Sequence, residues 1–513
     1  MSLIRAMSTV GGMTALSRVA GFIRDILTAA ILGAGPVADA FFVALKLPNF
    51  FRRVTAEGAF SVSFVPLYSE TLEQEGQERA TRFANNAFWI MSVVLAVFSG
   101  LAIFFMPYVI MAIAPGFIDD PLRYNLGVEL ARITFPYLLL MSLTALLGGV
   151  LNAHNRFAPF AFAPVLFNLC LIGALLLSGL FETPGHALSY GILIAGVAQF
   201  GLLLWCALSG KVFRLEFRKP EMSVKIRKVF KLMGPGVIGA GVMHINLFAD
   251  LILASFLAEG AISYLYYADR LNQLPLGVVG IAVGTALLPM LSKALSRNDT
   301  VEAHDLFNRS VEYCLLLALP AALALLVIPE ILIGTLFERG AFGAEDTAAS
   351  SAVLMAYAVG LPAYILIKIF SSVHWARQDT VTPVRISIIG TVCNIALSIA
   401  LIFQMGVAGI ALATGLTGWL QLVLHLRALR SSNVVRFDAR FKRNGVKIAL
   451  GSVFMAAIVY EAGQVLPEFT DNRILLLSVI VGGGISFYGA FVIASGVMKP
   501  SVMKKMFSRT KGK

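Results

Sequence analysis

Charge is scarce in this chain: only 14% of its 513 residues are Asp, Glu, Lys or Arg, whereas 58% are hydrophobic, and the mean hydropathy is +0.81. So few charges cannot cover the surface of a water-soluble enzyme of this length, which would also need polar linkers between domains. No linker longer than a short loop interrupts the apolar runs between Val10 and Met498. Cysteine is equally sparse. Cys170, Cys206, Cys314 and Cys393 all fall inside apolar runs without paired spacing, which excludes a disulfide framework. The six histidines are scattered and lack the short spacings of zinc sites, so no metal centre is expected. Gly-rich phosphate loops, nucleotide fingerprints and a soluble ATPase domain are missing too, leaving ion or potential gradients as the energy source for any transport. Arg18 and Arg24 break the first apolar stretch and no small-residue cleavage site follows, so a removed signal peptide is not expected.

What is present is a series of apolar runs, each long enough for roughly 30 Å of hydrocarbon. They predict an all-α polytopic membrane protein with fourteen spans, near 8–33, 37–66, 83–113, 122–151, 158–180, 187–209, 232–257, 261–292, 310–336, 347–375, 384–403, 407–427, 445–465 and 473–497. An even number places both termini on one side. Thirty loop lysines and arginines lie on that side, against Arg123, Arg339 and Arg473 on the other, so both termini are expected in the cytoplasm. The net charge of +12 follows from this asymmetry. Short basic loops beside an anionic leaflet need no nucleic acid to explain them, and membrane lipids are the expected neighbours.

The chain also repeats itself. Asp25-Ile-Leu-Thr-Ala-Ala with Gly35 returns as Asp250-Leu-Ile-Leu-Ala-Ser with Gly260, and Leu47-Pro48, Gly58-Ala59 and Pro66-Leu67-Tyr68-Ser69 return as Leu274-Pro275, Gly284-Thr285-Ala286 and Pro289-Met290-Leu291-Ser292. Two parallel six-helix lobes follow, related by a pseudo-two-fold axis along the membrane normal, with two extra C-terminal helices. The expected division is an N-terminal lobe at 1–210, a basic cytoplasmic loop at 211–231, a C-terminal lobe at 232–430, a second basic loop at 431–444, spans 13 and 14 at 445–497 and a basic cytoplasmic tail at 498–513.

Eight cations remain inside predicted spans: Arg18, Arg24, Lys46, Arg52, Arg53, Arg132, Arg270 and Lys368. Each would cost about 2.5–3.5 kcal/mol or more facing lipid. Six lie on spans 1, 2 and 8, which must therefore line a common water- or ligand-filled space. Helical phase agrees, because Ser17, Gly21 and Arg24 share a face of span 1, Asp39, Lys46, Asn49, Arg53 and Glu57 form a stripe on span 2, and Ser263, Tyr267 and Arg270 share a face of span 8. The available counter-charges are Asp25, Asp39, Glu57 and Asp269, fewer than the cations, so the space is cationic. Arginine grips phosphate with a two-pronged fork. Arg18, Arg24, Arg52, Arg53 and Arg270, with Ser17 and Ser263 on the same faces, are the candidate substrate-binding residues for a large anion; the four acids are candidates for gating ion pairs. Asp39 is expected to pair with Arg24 or Arg270 in one of two access states.

Ser17-Arg18-Val-Ala-Gly21-Phe-Ile-Arg24-Asp25, Ala38-Asp39-Ala40-Phe41, Pro48-Asn49-Phe-Phe-Arg52-Arg53, Glu57-Gly58-Ala59-Phe60 with Phe64-Val65-Pro66, and Ala268-Asp269-Arg270-Leu271-Asn-Gln273-Leu274-Pro275 together resemble the MurJ (MviN) family of lipid II flippases. That family sits in the MOP exporter superfamily with MATE drug exporters and polysaccharide flippases. The resemblance covers the whole chain. It implies a flippase, not an enzyme, moving lipid II (the undecaprenyl-pyrophosphate-linked disaccharide-peptide) from the inner to the outer leaflet of the bacterial cytoplasmic membrane for cell wall biogenesis, by alternating access and with no cofactor. It further implies a lipid-tail groove at spans 13 and 14, which carry no charge between Lys447 and Tyr460 or between Ile474 and Met498, and partners among cell-wall synthesis proteins. A sodium site at spans 7, 11 and 12 is implied for some members. Asp250, Asn394 and Thr414 occupy matching positions, and Ser398 lies one turn beyond Asn394 where a second acid would strengthen the site. Coupling to Na+, to H+ or to the membrane potential stays open. The alternatives are a MATE-like small-molecule exporter, whose cavity should be acidic and aromatic, another polyprenyl-linked oligosaccharide flippase, and a membrane enzyme acting on polyprenyl phosphates. The last would need an acidic cluster near a basic site, and the close pair Asp119-Asp120 lies on the outer side.

Overall fold

In the computed structural model, which describes residues 3–52, 60–217, 219–282, 287–430 and 434–498, nineteen α-helices form two compact units. The chain is all-α, and ten helical segments among the described residues are long and apolar enough to cross a bilayer. The first unit, residues 1–263 with 339–343, contains α1 (Leu3–Leu32), α2 (Pro36–Phe51), α3 (Ser61–Glu75), α4 (Gln77–Phe104), α5 (Met106–Ile113), α6 (Pro121–Thr134), α7 (Tyr137–Ala153), α8 (Ala158–Leu176), α9 (Pro184–Ser209) and α10 (Val224–Ser255). In it α1 packs on α8, α8 and α7 on α9, and α2 on α6. The second unit, 264–338 with 344–513, holds most of α11 (Ala261–Ala282), then α12 (Leu288–Ser296), α13 (Thr300–Val327), α14 (Pro329–Phe337), α15 (Ala344–Ala376), α16 (Val381–Met405), α17 (Val407–Ala428), α18 (Ala439–Val465) and α19 (Arg473–Ala494). There α15 and α16 pack on α17, while α13 packs on α15 and α18.

Helices begin well before the hydropathy does. The expected starts at 232, 310 and 445 become Val224, Thr300 and Ala439, because Ser223, Asp299 and Asp438 cap the backbone N–H groups of Ile226, Glu302 and Phe441 and let polar first turns extend beyond the apolar stretch. Other expected spans are broken. The 83–113 run divides at Phe105, 122–151 at Pro136 and 310–336 at Ile328, each with a proline at or beside the break, which supplies no N–H to continue the ladder. The four other expected spans coincide with α1, α2, α10 and α11, of which α1 carries Arg18, Arg24 and Asp25 and α11 carries Asp269 and Arg270.

Membrane solvent inverts the usual pattern of a helix surface. On α16, Ile386, Gly390, Asn394 and Ser398 recur every fourth residue on the buried face, while Val384, Ile388, Val392, Ile399 and Phe403 are exposed. With no hydrophobic force between helices in lipid, small residues bring backbones together. Gly360 of α15 and Gly415 of α17 meet so closely that a Cβ on Gly360 would overlap the Gly415 Cα.

The two basic loops are tied down in the same way. In the first unit Asn85 of α4 donates Nδ2–H to the Glu216 carbonyl (2.7 Å) and accepts the Glu216 N–H (3.2 Å). In the second, Asn308 of α13 donates to the Arg436 carbonyl (2.9 Å) and accepts the Asp438 N–H (3.1 Å). The offset from Asn85 to Asn308, 223 residues, equals that from Pro66 to Pro289.

Substituting Gly360→Ala should lower the melting temperature of the detergent-solubilised protein, by an overpacking cost of about 1–3 kcal/mol. Gly173→Ala in α8, where an added Cβ meets nothing within 4 Å, should not lower it. Equal melting of the two variants would show that α15 and α17 separate at no cost.

Candidate functional site

Position 24 shows how a guanidinium is held inside an apolar bundle. Gly21, one turn before it, faces the Asn168 amide of α8, which lies 3.5 Å from where a Cβ on Gly21 would be, an ordinary contact distance. Arg24 Nη1 donates to Asn168 Oδ1 (2.8 Å), while its Nε and Nη2 donate to Asp25 Oδ1 (3.1 and 2.6 Å). Asn168 Nδ2 in turn donates to the Ser17 carbonyl (3.0 Å) and lies 3.4 Å from the Ser17 hydroxyl. The Phe167 ring centroid lies 6.0 Å from the guanidinium carbon. Ser17, Arg24 and Asp25 are thus gathered at one place, and the side chain of Arg24 remains 16% exposed.

The other expected cations are held differently. Arg52 donates Nε–H to Asn49 Oδ1 (3.3 Å), whose Nδ2 donates to the Leu45 carbonyl (2.9 Å). Arg270 stacks over Tyr266 at 4.5 Å, and the neighbouring Asp269 accepts from Gln273. Arg18 is exposed and makes no hydrogen bond or ion pair among the described residues. Arg53 and Glu57 lie outside the described residues.

Asp39, expected to pair with Arg24 or Arg270 in one of two access states, is held in this structure by backbone and hydroxyl donors. It is fully buried and accepts the Gly260 N–H (2.8 Å), the Ser263 N–H (2.9 Å) and the Ser263 hydroxyl (2.7 Å). A carboxylate on α2 therefore caps the start of α11, where unpaired N–H groups and the helix dipole favour negative charge. Its nearest cation is Arg123 of α6, 3.9 Å away. Arg123 also donates to Asp120 (2.6 Å) and to the Leu257 carbonyl (3.2 Å), and lies 4.9 Å over Phe117. Partial burial opposes the charge on Asp120, but the Arg123 N–H, its guanidinium and the Leu122 N–H outweigh it and hold this carboxyl below the ordinary range. The hydroxyl of Ser263, a candidate for substrate binding, is buried in this structure and donates to Asp39 Oδ1.

In the candidate cation site, Asn394 Nδ2 donates to Thr414 Oγ1 (3.0 Å), Ser398 Oγ donates to Asn394 Oδ1 (3.3 Å) and Thr414 Oγ1 donates to the Ile410 carbonyl (3.1 Å). These three come together in the second unit. Asp250 belongs to the first unit.

Two residues escaped the sequence reading. Arg123 counted as an outer-loop cation, although it is 7% exposed. Asn168 drew no notice in an apolar run, yet its offset of 226 from Asn394 follows the internal repeat and could have revealed it.

Comparison with known proteins places these features in context. The family profile described as "Lipid II flippase MurJ" matches residues 28–480. A relative from Rhizobium meliloti named "Probable lipid II flippase MurJ" is 39% identical over 520 residues, covering 99% of this chain and 97% of its own. A Burkholderia cenocepacia protein named "Lipid II flippase MurJ" is 34% identical over 464 residues, 90% of each. Among solved structures, "Lipid II flippase MurJ, inward closed conformation" matches with a TM-score of 0.79 and 28% identity over 97% of this chain and 99% of that one. An inward-facing MATE family transporter of the MOP superfamily has a TM-score of 0.70 at 13% identity, over 81% of this chain and 94% of that chain, a likeness of fold alone.

Asp39→Ala should leave the Gly260 and Ser263 donors unpaired at about 1–3 kcal/mol each and lower the melting temperature more than Ser263→Ala, which removes one bond and leaves the carboxylate in place. Unchanged melting of Asp39→Ala would mean that the carboxylate does not hold the start of α11.

Proposed function

The chain belongs to the MurJ family of lipid II flippases, and on that premise we propose that it carries lipid II from the inner to the outer leaflet of the bacterial cytoplasmic membrane for peptidoglycan synthesis. It is a transporter, not an enzyme. The observation that carries the reading is the Arg24 station: a partly exposed guanidinium braced from two sides by Asp25 and Asn168. Bracing fixes the fork's orientation before any ligand arrives, which lowers the entropy cost of gripping a pyrophosphate. Arg18, Arg52, Arg53 and Arg270 add charge for the same anion. The mechanism is alternating access of two six-helix lobes, with fourteen spans and both termini in the cytoplasm.

Two further assignments follow the same reading. The lipid tail takes the surface of α18 and α19, where Leu450, Val453, Phe454, Ile458, Leu475 and Val479 are exposed and no charged residue lies between Lys447 and Tyr460 or between Ile474 and Met498. For coupling, the repeat supports a cation at Asp250, Asn394, Ser398 and Thr414. In the first copy Asp25 and Asn168 hold the guanidinium of Arg24; in the second, Asp250 and Asn394 stand at the matching positions, but Arg24 is replaced by Ala249. Sodium is the cation proposed for these oxygens, with a proton or the membrane potential as the competing drives.

Orientation is testable independently of substrate. Reporters fused after Lys513 or within 211–231 should read cytoplasmic, and one inserted between Gly33 and Val37 periplasmic; a periplasmic signal from the C-terminal fusion would overturn the fourteen-span count. For transport, Arg24→Ala and Arg270→Ala should abolish the appearance of labelled lipid II in the outer leaflet at unchanged protein abundance, and Arg24→Lys should restore only part of it, since an ammonium lacks the two-pronged contact. Full flipping by the alanine variants would remove these residues from the ligand site.

A further inference from the structure

α6, the 181–183 bend and the first turn of α9 bring together Glu129, Glu182 and His186, whose ligand atoms all lie within 4.8 Å of one another. The two carboxylates are exposed, whereas the imidazole is buried, its side chain 6% exposed. Its Nδ1 lies 2.8 Å from the Thr183 hydroxyl, the same oxygen that accepts the His186 backbone N–H as helix cap. Its Nε2 has no hydrogen-bond partner, although Glu129 Oε1 is only 3.3 Å away. A buried nitrogen that faces a carboxylate without bonding it carries a desolvation cost that something between them would relieve.

We propose that this cluster binds a divalent transition metal ion of the zinc class through His186 Nε2 and one oxygen each of Glu129 and Glu182. With Nδ1–H given to the Thr183 hydroxyl, which fixes the tautomer and the ring's orientation, Nε2 presents its lone pair, as in metal-bound histidines generally. Two ligands each about 2.0–2.1 Å from a tetrahedral zinc stand about 3.4 Å apart, close to the 3.3 Å between His186 Nε2 and Glu129 Oε1. One imidazole with two carboxylates leaves a fourth position for water and favours a borderline ion over a hard one such as Mg2+. The cation nearest in sequence, Arg132, lines the adjoining hollow of about 560 Å³ with Glu129 and Tyr190, but its Nε donates to the Ile103 carbonyl (3.2 Å). Two carboxylates at the site outweigh it. The bound ion would staple α6 to the first turn of α9, at the ends that the orientation proposed above turns toward the outer face.

The test uses full-length protein purified in detergent, stripped with chelator and titrated with Zn2+, with Co2+ as the spectroscopic probe. The expected result is one ion per chain, a visible Co2+ absorption of four-coordinate intensity, and a melting temperature that rises with Zn2+. Glu129→Gln and Glu182→Gln should each weaken binding about tenfold or more and remove the thermal shift. Glu182 is exposed, so its substitution reports on the site even if a His186 variant fails to fold. Absence of saturable binding, or binding unchanged in both Gln variants, would overturn the assignment. Because the readouts are metal content, absorption and melting, failure of the flippase reading would not affect them.

Discussion

A charged group within hydrocarbon must find its partners in protein, and in this chain that requirement organises the helices. Arg24 cannot face lipid without a penalty of about 2.5–3.5 kcal/mol or more. Its guanidinium is met by Asp25 on its own helix and by Asn168 on α8. The same bonds that make the arginine tolerable set the register of α1 against α8. The bonds that hold this charge are therefore also a packing contact between α1 and α8. The complementary rule shapes α16, which buries Asn394 and Ser398 and turns its branched apolar side chains outward.

Asp39 follows the same logic with the opposite sign. A buried carboxylate needs donors more than it needs a cation, and the first turn of a helix supplies them as unpaired N–H groups. Gly260 and Ser263 provide three donors at 2.7–2.9 Å, whereas the closest arginine nitrogen is at 3.9 Å. The charge of α2 thus fixes where α11 begins, and α11 is the helix that carries Arg270.

The two halves of the chain hold their basic loops alike. Asn85 and Asn308, 223 residues apart, each clamp the backbone of a basic loop with a paired donor and acceptor. An asparagine does this because its amide has the same donor and acceptor as a peptide unit. The copies also diverge: Arg24 has Ala249 as its counterpart, while the Asp25 and Asn168 positions keep their residue types as Asp250 and Asn394.

Composition and hydropathy by themselves determined that the chain is all-helical and membrane-spanning, because a bilayer admits few ways to satisfy a backbone and the required run length is set by its thickness. The in-span arginines, Asp25 and the repeat were equally legible, since polar residues stand out against apolar composition. Helix starts such as Thr300 and breaks such as Pro136 were not legible from hydropathy, because caps and prolines act on backbone donors and leave the apolar average unchanged. Only the tertiary structure decided which polar groups meet. Arg123 and Asp39 are 84 residues apart, Asn168 and Arg24 144, and Asp39 and Ser263 224. Helical phase tells which face of a helix a side chain occupies; the neighbour on that face depends on how the helices pack, and that is a property of the whole bundle.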